Sequence, residues 1–295
     1  MLRAICTAIV LAFVYCGVAR AADEFCDLKV ATVLEANTTN DGRLFVPASF
    51  AGHSTFLQIH SGSAWSFVES RLVDTLKLPR KPMRTIIYVN AVGDTFKEYV
   101  SVPQFKLGAL IFGGETDFVI DPTVGDIDIS SYGGTLGVAM LSPYDVEIDN
   151  AAKRVTLWRP DKFCSGRLVR WADRWSEIPF HMNDDLPILR AKINGETINA
   201  SINTASSITS MDLDVARSRF GITPQSPGVR QVGDGVYMYT FAKLTISDLT
   251  FESVEVRLVD YKDVQLSLGM NVLRQLHLYI AFKRKVIYAT RIEAK

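Results

Sequence analysis

The feature that most constrains the fold of this chain is an internal repeat. Residues 48–63 align without a gap with residues 191–206, at an offset of 143 (203 − 60 = 143). Four further pairs of segments follow in the same order in both halves of the chain. They are 92–94 with 232–234, 118–121 with 257–260, 136–141 with 268–273, and 154–157 with 285–288. Matching segments in a constant order indicate two diverged copies of one folding unit.

Each copy is predicted to consist mainly of short strands. In the first copy, β-rich runs flank Gly52, the pair Gly93-Asp94 and the segment 150–152, which is typical of three hairpins. Helical periodicity is scarce, and its best candidates, 69–78 and 213–220, lie at matching places in the two copies. The predicted fold class is therefore all-β.

The chain divides into four predicted segments. These are a signal peptide (1–21), a first unit (22–158), a linker (159–180) and a second unit (181–295). The signal peptide is indicated by Arg3, an apolar stretch over 4–18 and the sequence Ala-Arg-Ala at 19–21. The alternative is an uncleaved membrane anchor, although the stretch is short for a membrane span. We expect a secreted or periplasmic protein with no transmembrane segment after signal cleavage.

Charge and cysteine content exclude several classes of partner. Lys plus Arg equal Asp plus Glu at 32 each, and no basic run is present, so nothing predicts binding to nucleic acid or anionic membrane.

After signal cleavage only Cys26 and Cys164 remain, which predicts one disulfide in an oxidising compartment. Two free buried thiols are the alternative. With four His and no CxxC motif, no metal site is expected, and no cofactor motif is present.

A similar turn follows the second strand of each copy. His60-Ser61-Gly62-Ser63 and Asn203-Thr204-Ala205-Ser206 each run from a polar residue through a hydroxyl residue and a small residue to Ser. Together with the segments 136–141 and 268–273 (LGVAML and LGMNVL), these turns resemble the retropepsin-like and pepsin-like aspartic proteases, especially exported bacterial proteins with two retropepsin-like units in tandem. The resemblance covers roughly residues 43–290. It implies a bilobal acid-protease-like fold in a monomer.

The same resemblance implies that the catalytic residues of the family are missing. In that family, one Asp from each unit forms a pair that shares a proton. His60 and Asn203 occupy the two Asp positions here, so no catalytic residue is expected. The residues implied to support the turns are Ser61, Gly62, Thr204 and Ala205. The implied flap tips are Gly93-Asp94 and Gly233-Asp234, and the implied disulfide joins Cys26 and Cys164. Ser61 and Thr204 are implied to form crossed hydrogen bonds between the two turns.

The role of His60 and the function each leave alternatives. His60 is either a neutral histidine hydrogen-bonded to Asn203 or a group reused for catalysis or ligand contact. The leading hypothesis is an inactive protease homologue, a pseudoprotease, that binds peptide or protein in the interlobe cleft. One alternative is an active aspartic-type endopeptidase with an atypical site; another is a structural envelope protein with an unused cleft.

Overall fold

The computed structural model describes residues 25–83, 88–89, 95–122, 132–161, 163–260 and 264–292. The predicted signal peptide and the first predicted flap tip, Gly93-Asp94, lie outside the described residues. The described chain is mostly β-strand with four short helices, which confirms the all-β prediction.

In the described ranges, fifteen strands belong to the first half of the chain and ten to the second. Those of the first half are β1 (Lys29–Glu35), β2 (Asn37–Thr38), β3 (Leu44–Phe50), β4 (His53–Ile59), β5 (Phe67–Glu69), β6 (Lys81–Pro82), β7 (Tyr88–Val89), β8 (Thr95–Phe96), β9 (Glu98–Pro103), β10 (Lys106–Leu107), β11 (Leu110–Ile111), β12 (Glu115–Asp121), β13 (Tyr132–Leu136), β14 (Asp145–Asp149) and β15 (Arg154–Arg159). Those of the second half are β16 (Ser176–Asn183), β17 (Leu186–Ile193), β18 (Glu196–Ile202), β19 (Thr209–Asp212), β20 (Arg230–Gly233), β21 (Val236–Ile246), β22 (Leu249–Val259), β23 (Leu266–Leu268), β24 (Leu276–Ala281) and β25 (Val286–Arg291). The helices are α1 (Ser70–Thr75), α2 (Val138–Leu141), α3 (Leu213–Phe220) and α4 (Met270–Leu273).

The second copy closes into a six-stranded barrel. Its strands pair in the order β17-β18-β23-β19-β22-β21, and β21 pairs back onto β17. Along β22, buried residues alternate with outward-facing ones, as a barrel wall requires. Ser253 has a positive φ of 51° and shifts that alternation by one residue, while the register of β22 with β21 is the same on both sides of it. The barrel interior is thus filled by side chains.

The first copy pairs its strands in the same way. Strands β3-β4-β13-β5-β12-β9 follow the order of the second-copy barrel, with the same parallel pairs, β4 with β13 and β5 with β12. One strand, β21, pairs with both neighbours in the second copy, whereas the first copy divides this role between β9 and β10. The division falls at Gln104, whose φ of 53° interrupts an extended strand. The two copies therefore share one pairing pattern as well as one sequence pattern.

Strands from both halves also form one antiparallel sheet, which we call the shared sheet: β1-β15-β14-β24-β25-β16. The β14–β24 pair joins the two halves, with Ile148 opposite Leu278. On one face the sheet continues the main hydrophobic core, which includes residues of both copies. Part of the other face is covered by residues of the segment 163–175. The predicted linker therefore packs on the shared sheet, and its last residues already belong to β16.

A disulfide fastens this covering segment to the N-terminal strand region. Cys26 and Cys164 are bonded, with their Cα atoms 5.7 Å apart, which lies in the usual range. The disulfide prediction is confirmed, and the alternative of two free thiols is wrong.

Candidate functional site

The two predicted turns are held by equivalent backbone hydrogen bonds. The N–H of His60 donates to the carbonyl of Leu136 at 3.0 Å, and the N–H of Asn203 donates to that of Leu268 at 2.8 Å. Each turn thus begins where its strand, β4 or β18, leaves the neighbouring parallel strand. The turns are fixed by the sheet beneath them.

Four hydrogen bonds cross between the two turns. The hydroxyl of Thr204 donates to the carbonyl of Ile59 at 2.7 Å and accepts from the N–H of Ser61 at 3.1 Å. In return, the hydroxyl of Ser61 donates to the carbonyl of Ile202 at 3.0 Å and accepts from the N–H of Thr204 at 3.1 Å. Ser61 and Thr204 are each about 1% exposed, so these bonds lie out of competition with water. The structure brings the predicted supporting residues together in a reciprocal arrangement.

Gly62 is in close contact with the opposite turn. A Cβ atom at this position would lie 2.5 Å from Cγ of Asn203, which is far inside van der Waals contact. Neither Gly62 nor Ala205 has a positive φ, so backbone conformation does not require glycine at either position. Glycine is needed at 62 because the Asn203 side chain fills the adjacent space, and Ala205 is accommodated in the second turn.

His60 occupies a position that disfavours its charged form. Its Nδ1 is buried and has no hydrogen-bond partner among the described residues, although the residue as a whole keeps a small exposed fraction. Burial lowers the pKa of His60 to about 4, so the ring is neutral at neutral pH. The predicted hydrogen bond to Asn203 is not formed through Nδ1. Oδ1 of Asn203 instead accepts from the backbone N–H of Ala205 at 3.1 Å.

Buried polar residues that were not predicted from the sequence lie beside the turns. Gln58, two residues before His60, donates from Nε2 to the carbonyl of Ala205 at 3.2 Å, which adds a hydrogen bond from strand β4 to the opposite turn. Thr135 is the strand neighbour of Gln58, and Ser267 is its equivalent in the second copy (267 − 135 = 132, 268 − 136 = 132). Both hydroxyls are buried without a partner among the described residues. The only sequence signal was a polar residue one position before each Leu-Gly pair.

The second predicted flap tip lies at an exposed hairpin. Strands β20 and β21 pair up to Gly233 and Val236, and Asp234 and Gly235 form the tip between them. Gly235 has a φ of 64°, the left-handed conformation that glycine adopts without strain. Val232, on the same hairpin, is a large apolar residue that is 53% exposed.

No three His, Cys, Asp or Glu side chains in the described part of the chain are grouped so as to hold a metal ion. No helix in that part of the chain is long and apolar enough to cross a membrane.

Comparison with known proteins leaves the family unassigned. No protein-family model matches the chain, and no curated protein is significantly similar to it in sequence.

Proposed function

We propose that this protein is a catalytically inactive homologue of the aspartic proteases that binds a peptide or protein segment in a cleft between two lobes. The observation that carries the proposal is the set of four crossed hydrogen bonds between two turns that have His60 and Asn203 where that family has aspartates. The same strand-pairing pattern in both copies, with parallel pairs at matching places, supports the bilobal acid-protease-like fold.

The side chains at the two positions support a loss of catalysis. Family catalysis needs one carboxylate to accept a proton from water and a second to donate one. The Asn203 amide can do neither near neutral pH. His60 is neutral, and no partner among the described residues orients its buried Nδ1. Removing one member of such a catalytic pair generally costs most of the rate.

The retained scaffold supports binding. Crossed hydrogen bonds that survive without the acids keep the turns rigid and the region between the copies intact. The β20–β21 hairpin offers an exposed apolar residue, Val232, near its tip. An extended peptide can pair with such strand edges through its backbone. In the proposed fold this hairpin is a flap over the cleft, and the protein acts as a monomer.

A second candidate function is an active endopeptidase with an atypical site. It is favoured by one observation, the buried Nδ1 of His60 that lacks a partner among the described residues, because an unpaired imidazole nitrogen can accept a proton. Activity would then require His60 itself, which a peptide-hydrolysis assay tests.

The binding proposal is tested by selecting ligands from a displayed library of random linear peptides. Affinities of the selected peptides are then measured for Val232→Asp and for the control Ile111→Asp. Ile111 is also an exposed apolar residue, 64% exposed, but lies in strand β11 of the first copy. We expect Val232→Asp to weaken binding about tenfold or more, the equivalent of 1.4 kcal/mol, and Ile111→Asp to leave it unchanged. Failure to select any peptide, or equal effects of both substitutions, would contradict the proposal.

A further inference from the structure

The outer face of the shared sheet carries a connected row of aromatic and charged side chains. The ring of Trp171 lies parallel to the imidazole of His277, with 3.9 Å between centroids and 3° between planes. Nε2 of His277 lies 2.9 Å from Oε1 of Glu147, and Oε2 of the same carboxylate accepts from Nε1 of Trp158 at 2.8 Å. Trp171 is fixed at its other end, because its Nε1 donates to the hydroxyl of Thr290 at 2.9 Å. The row therefore holds two tryptophans rigidly around one carboxylate.

A cavity of about 420 Å3 opens beside this row. Its wall includes Trp158, Trp171, Glu147 and the exposed edge-strand residues Val30 and Val33. The cavity exists because the covering segment reaches only part of the sheet, and β1 and β15 at the sheet edge stay open. Its volume lies within the range of small-molecule binding sites. The cavity belongs to the shared sheet and does not include the two turns.

The formal charges of the wall balance, which favours a ligand without a strong net charge. The wall holds two carboxylates, Glu35 and Glu147, and two guanidinium groups, Arg154 and Arg170, so the formal charges cancel. Three of these groups are anchored in part, Glu147 by its bonds to Trp158 and His277. Arg154 lies 3.6 Å from Asp149, and Arg170 donates to the carbonyl of Cys26. A balanced wall attracts neither an anion nor a cation over the other.

The same groups keep hydrogen-bonding capacity for an uncharged polar ligand. A carboxylate has about four lone-pair positions, and the two bonds of Glu147 to Trp158 and His277 leave further acceptor positions. Arg154 offers several N–H donors besides those that face Asp149. Aromatic walls with such polar groups at their edges suit a ligand with apolar faces and a rim of hydroxyl groups. Pyranose rings have this form.

We propose that the cavity beside Trp158 and Trp171 on the outer face of the shared sheet binds a neutral saccharide. The tryptophans provide the surfaces against which the sugar rings stack. Glu147 accepts hydrogen bonds from sugar hydroxyls, and Arg154 donates to them. His277 acts as a positioning residue, because it fixes both Glu147 and the plane of Trp171.

The test measures binding of four neutral trisaccharides, built from glucose, galactose, mannose or N-acetylglucosamine, to the purified protein. Tryptophan fluorescence and isothermal titration give the affinities, and a sulfated trisaccharide and an acidic peptide serve as charged probes. We expect at least one neutral trisaccharide to bind at millimolar concentration or below. Trp158→Ala should weaken this binding about tenfold or more, because it removes a stacking surface.

Two further variants separate binding from folding. Arg154→Ala changes a side chain that is 43% exposed, so it removes a donor while the fold is kept, and it should also weaken binding several-fold. Trp65→Ala is the matched control, since Trp65 is 38% exposed and does not line the cavity. The proposal is overturned if none of the four neutral trisaccharides binds, if only a charged probe binds, or if Trp65→Ala weakens binding as much as Trp158→Ala and Arg154→Ala.

Discussion

At the scale of single residues, His60 and Asp145 are two ionisable groups that should change the stability with pH in opposite directions. The His60 ring has no partner at Nδ1, and Asp145 has none at Oδ1, among the described residues. Burial lowers the pKa of His60 to about 4 and raises the pKa of Asp145 to about 6. In both cases the neutral form is favoured in the folded protein, because the charged form loses hydration.

His60 should make the protein less stable as the pH falls. Its pKa is about 4 when folded and 6.5 in its ordinary range, so the unfolded chain binds more protons between these values. The free energy of unfolding of the wild type, relative to His60→Asn, should therefore fall by about 2–3 kcal/mol from pH 7 to pH 4. Denaturant unfolding at a series of pH values measures this difference. His53→Asn, at an exposed histidine of β4, is the control, and a flat difference for His60→Asn would contradict the account.

Asp145 should make the protein less stable as the pH rises. Its Oδ2 accepts from the hydroxyl of Tyr279 at 3.1 Å, but burial outweighs this bond, so the folded protein binds more protons between pH 3.8 and about 6. The contribution is present below the ordinary pKa and lost as the pH rises through about 6. Relative to Asp145→Asn, the wild type should therefore lose about 2–3 kcal/mol of unfolding free energy from pH 4 to pH 7.

The same unfolding series checks the prediction for Asp145. The control is Asp248→Asn, which changes an exposed carboxylate. An Asp145→Asn protein that tracks the wild type at every pH would show that the carboxyl is solvated in the folded state.

At the scale of elements, the two turns depend on each other through Ser61 and Thr204. Each hydroxyl serves one N–H and one carbonyl of the opposite copy, so the four bonds join the two turns to each other and to the ends of strands β4 and β18. Ser61 and Thr204 are each about 1% exposed, so solvent does not reach the backbone groups that a lost hydroxyl would leave. Loss of either hydroxyl therefore leaves buried backbone groups unpaired.

Thr204→Val should destabilise the protein by about 2–6 kcal/mol. The substitution keeps the side-chain shape, but it removes the partner of the Ser61 N–H and of the Ile59 carbonyl, at about 1–3 kcal/mol for each unpaired buried group. The denaturant midpoint measures the loss. Thr75→Val is the control, because the hydroxyl of Thr75 bonds to Arg71 on an exposed helix and should matter little. Equal stability of the wild type and Thr204→Val would mean that the crossed bonds do not join the copies.

The elements near the turns were largely predictable, and their closest contacts were not. The β-rich runs around Gly52 follow from local pattern, and the matching positions of Ser61 and Thr204 follow from the repeat. The crossed hydrogen bonds of these two residues were implied only by the resemblance to the aspartic proteases. The contact of Gly62 with Asn203 follows from none of these, because it depends on how closely two turns from distant parts of the chain approach. The buried hydroxyls of Thr135 and Ser267 were missed because a single polar residue in a short apolar strand gives no periodic signal.

At the scale of the whole molecule, the shared sheet and the disulfide connect segments that lie far apart in the sequence. The β14–β24 pair connects the ends of the two copies, and the disulfide spans 138 residues of sequence. A crosslink that closes so long a loop stabilises by about 4–5 kcal/mol in the chain-entropy model. The two cysteines could be predicted to pair because no other candidates remained after the signal peptide.

The row on the outer face of the shared sheet illustrates what a sequence does not reveal. Glu147, Trp171 and His277 lie far apart in the chain and meet only through the β14–β24 pairing and the packing of the covering segment. Sites built across a sheet in this way require the register of the strands, which local pattern does not specify.

The most direct test of the central claim is hydrolysis of a quenched fluorescent peptide library from about pH 3 to about pH 8. The wild type is compared with the double variant His60→Asp/Asn203→Asp and with the single variant His60→Ala, beside an active aspartic protease as control. The account predicts no cleavage by the wild type and measurable acid-pH cleavage by the double variant, since the crossed hydrogen bonds of Ser61 and Thr204 already hold both turns in place. Cleavage by the repurified wild type that His60→Ala abolishes would contradict the account and establish an active endopeptidase.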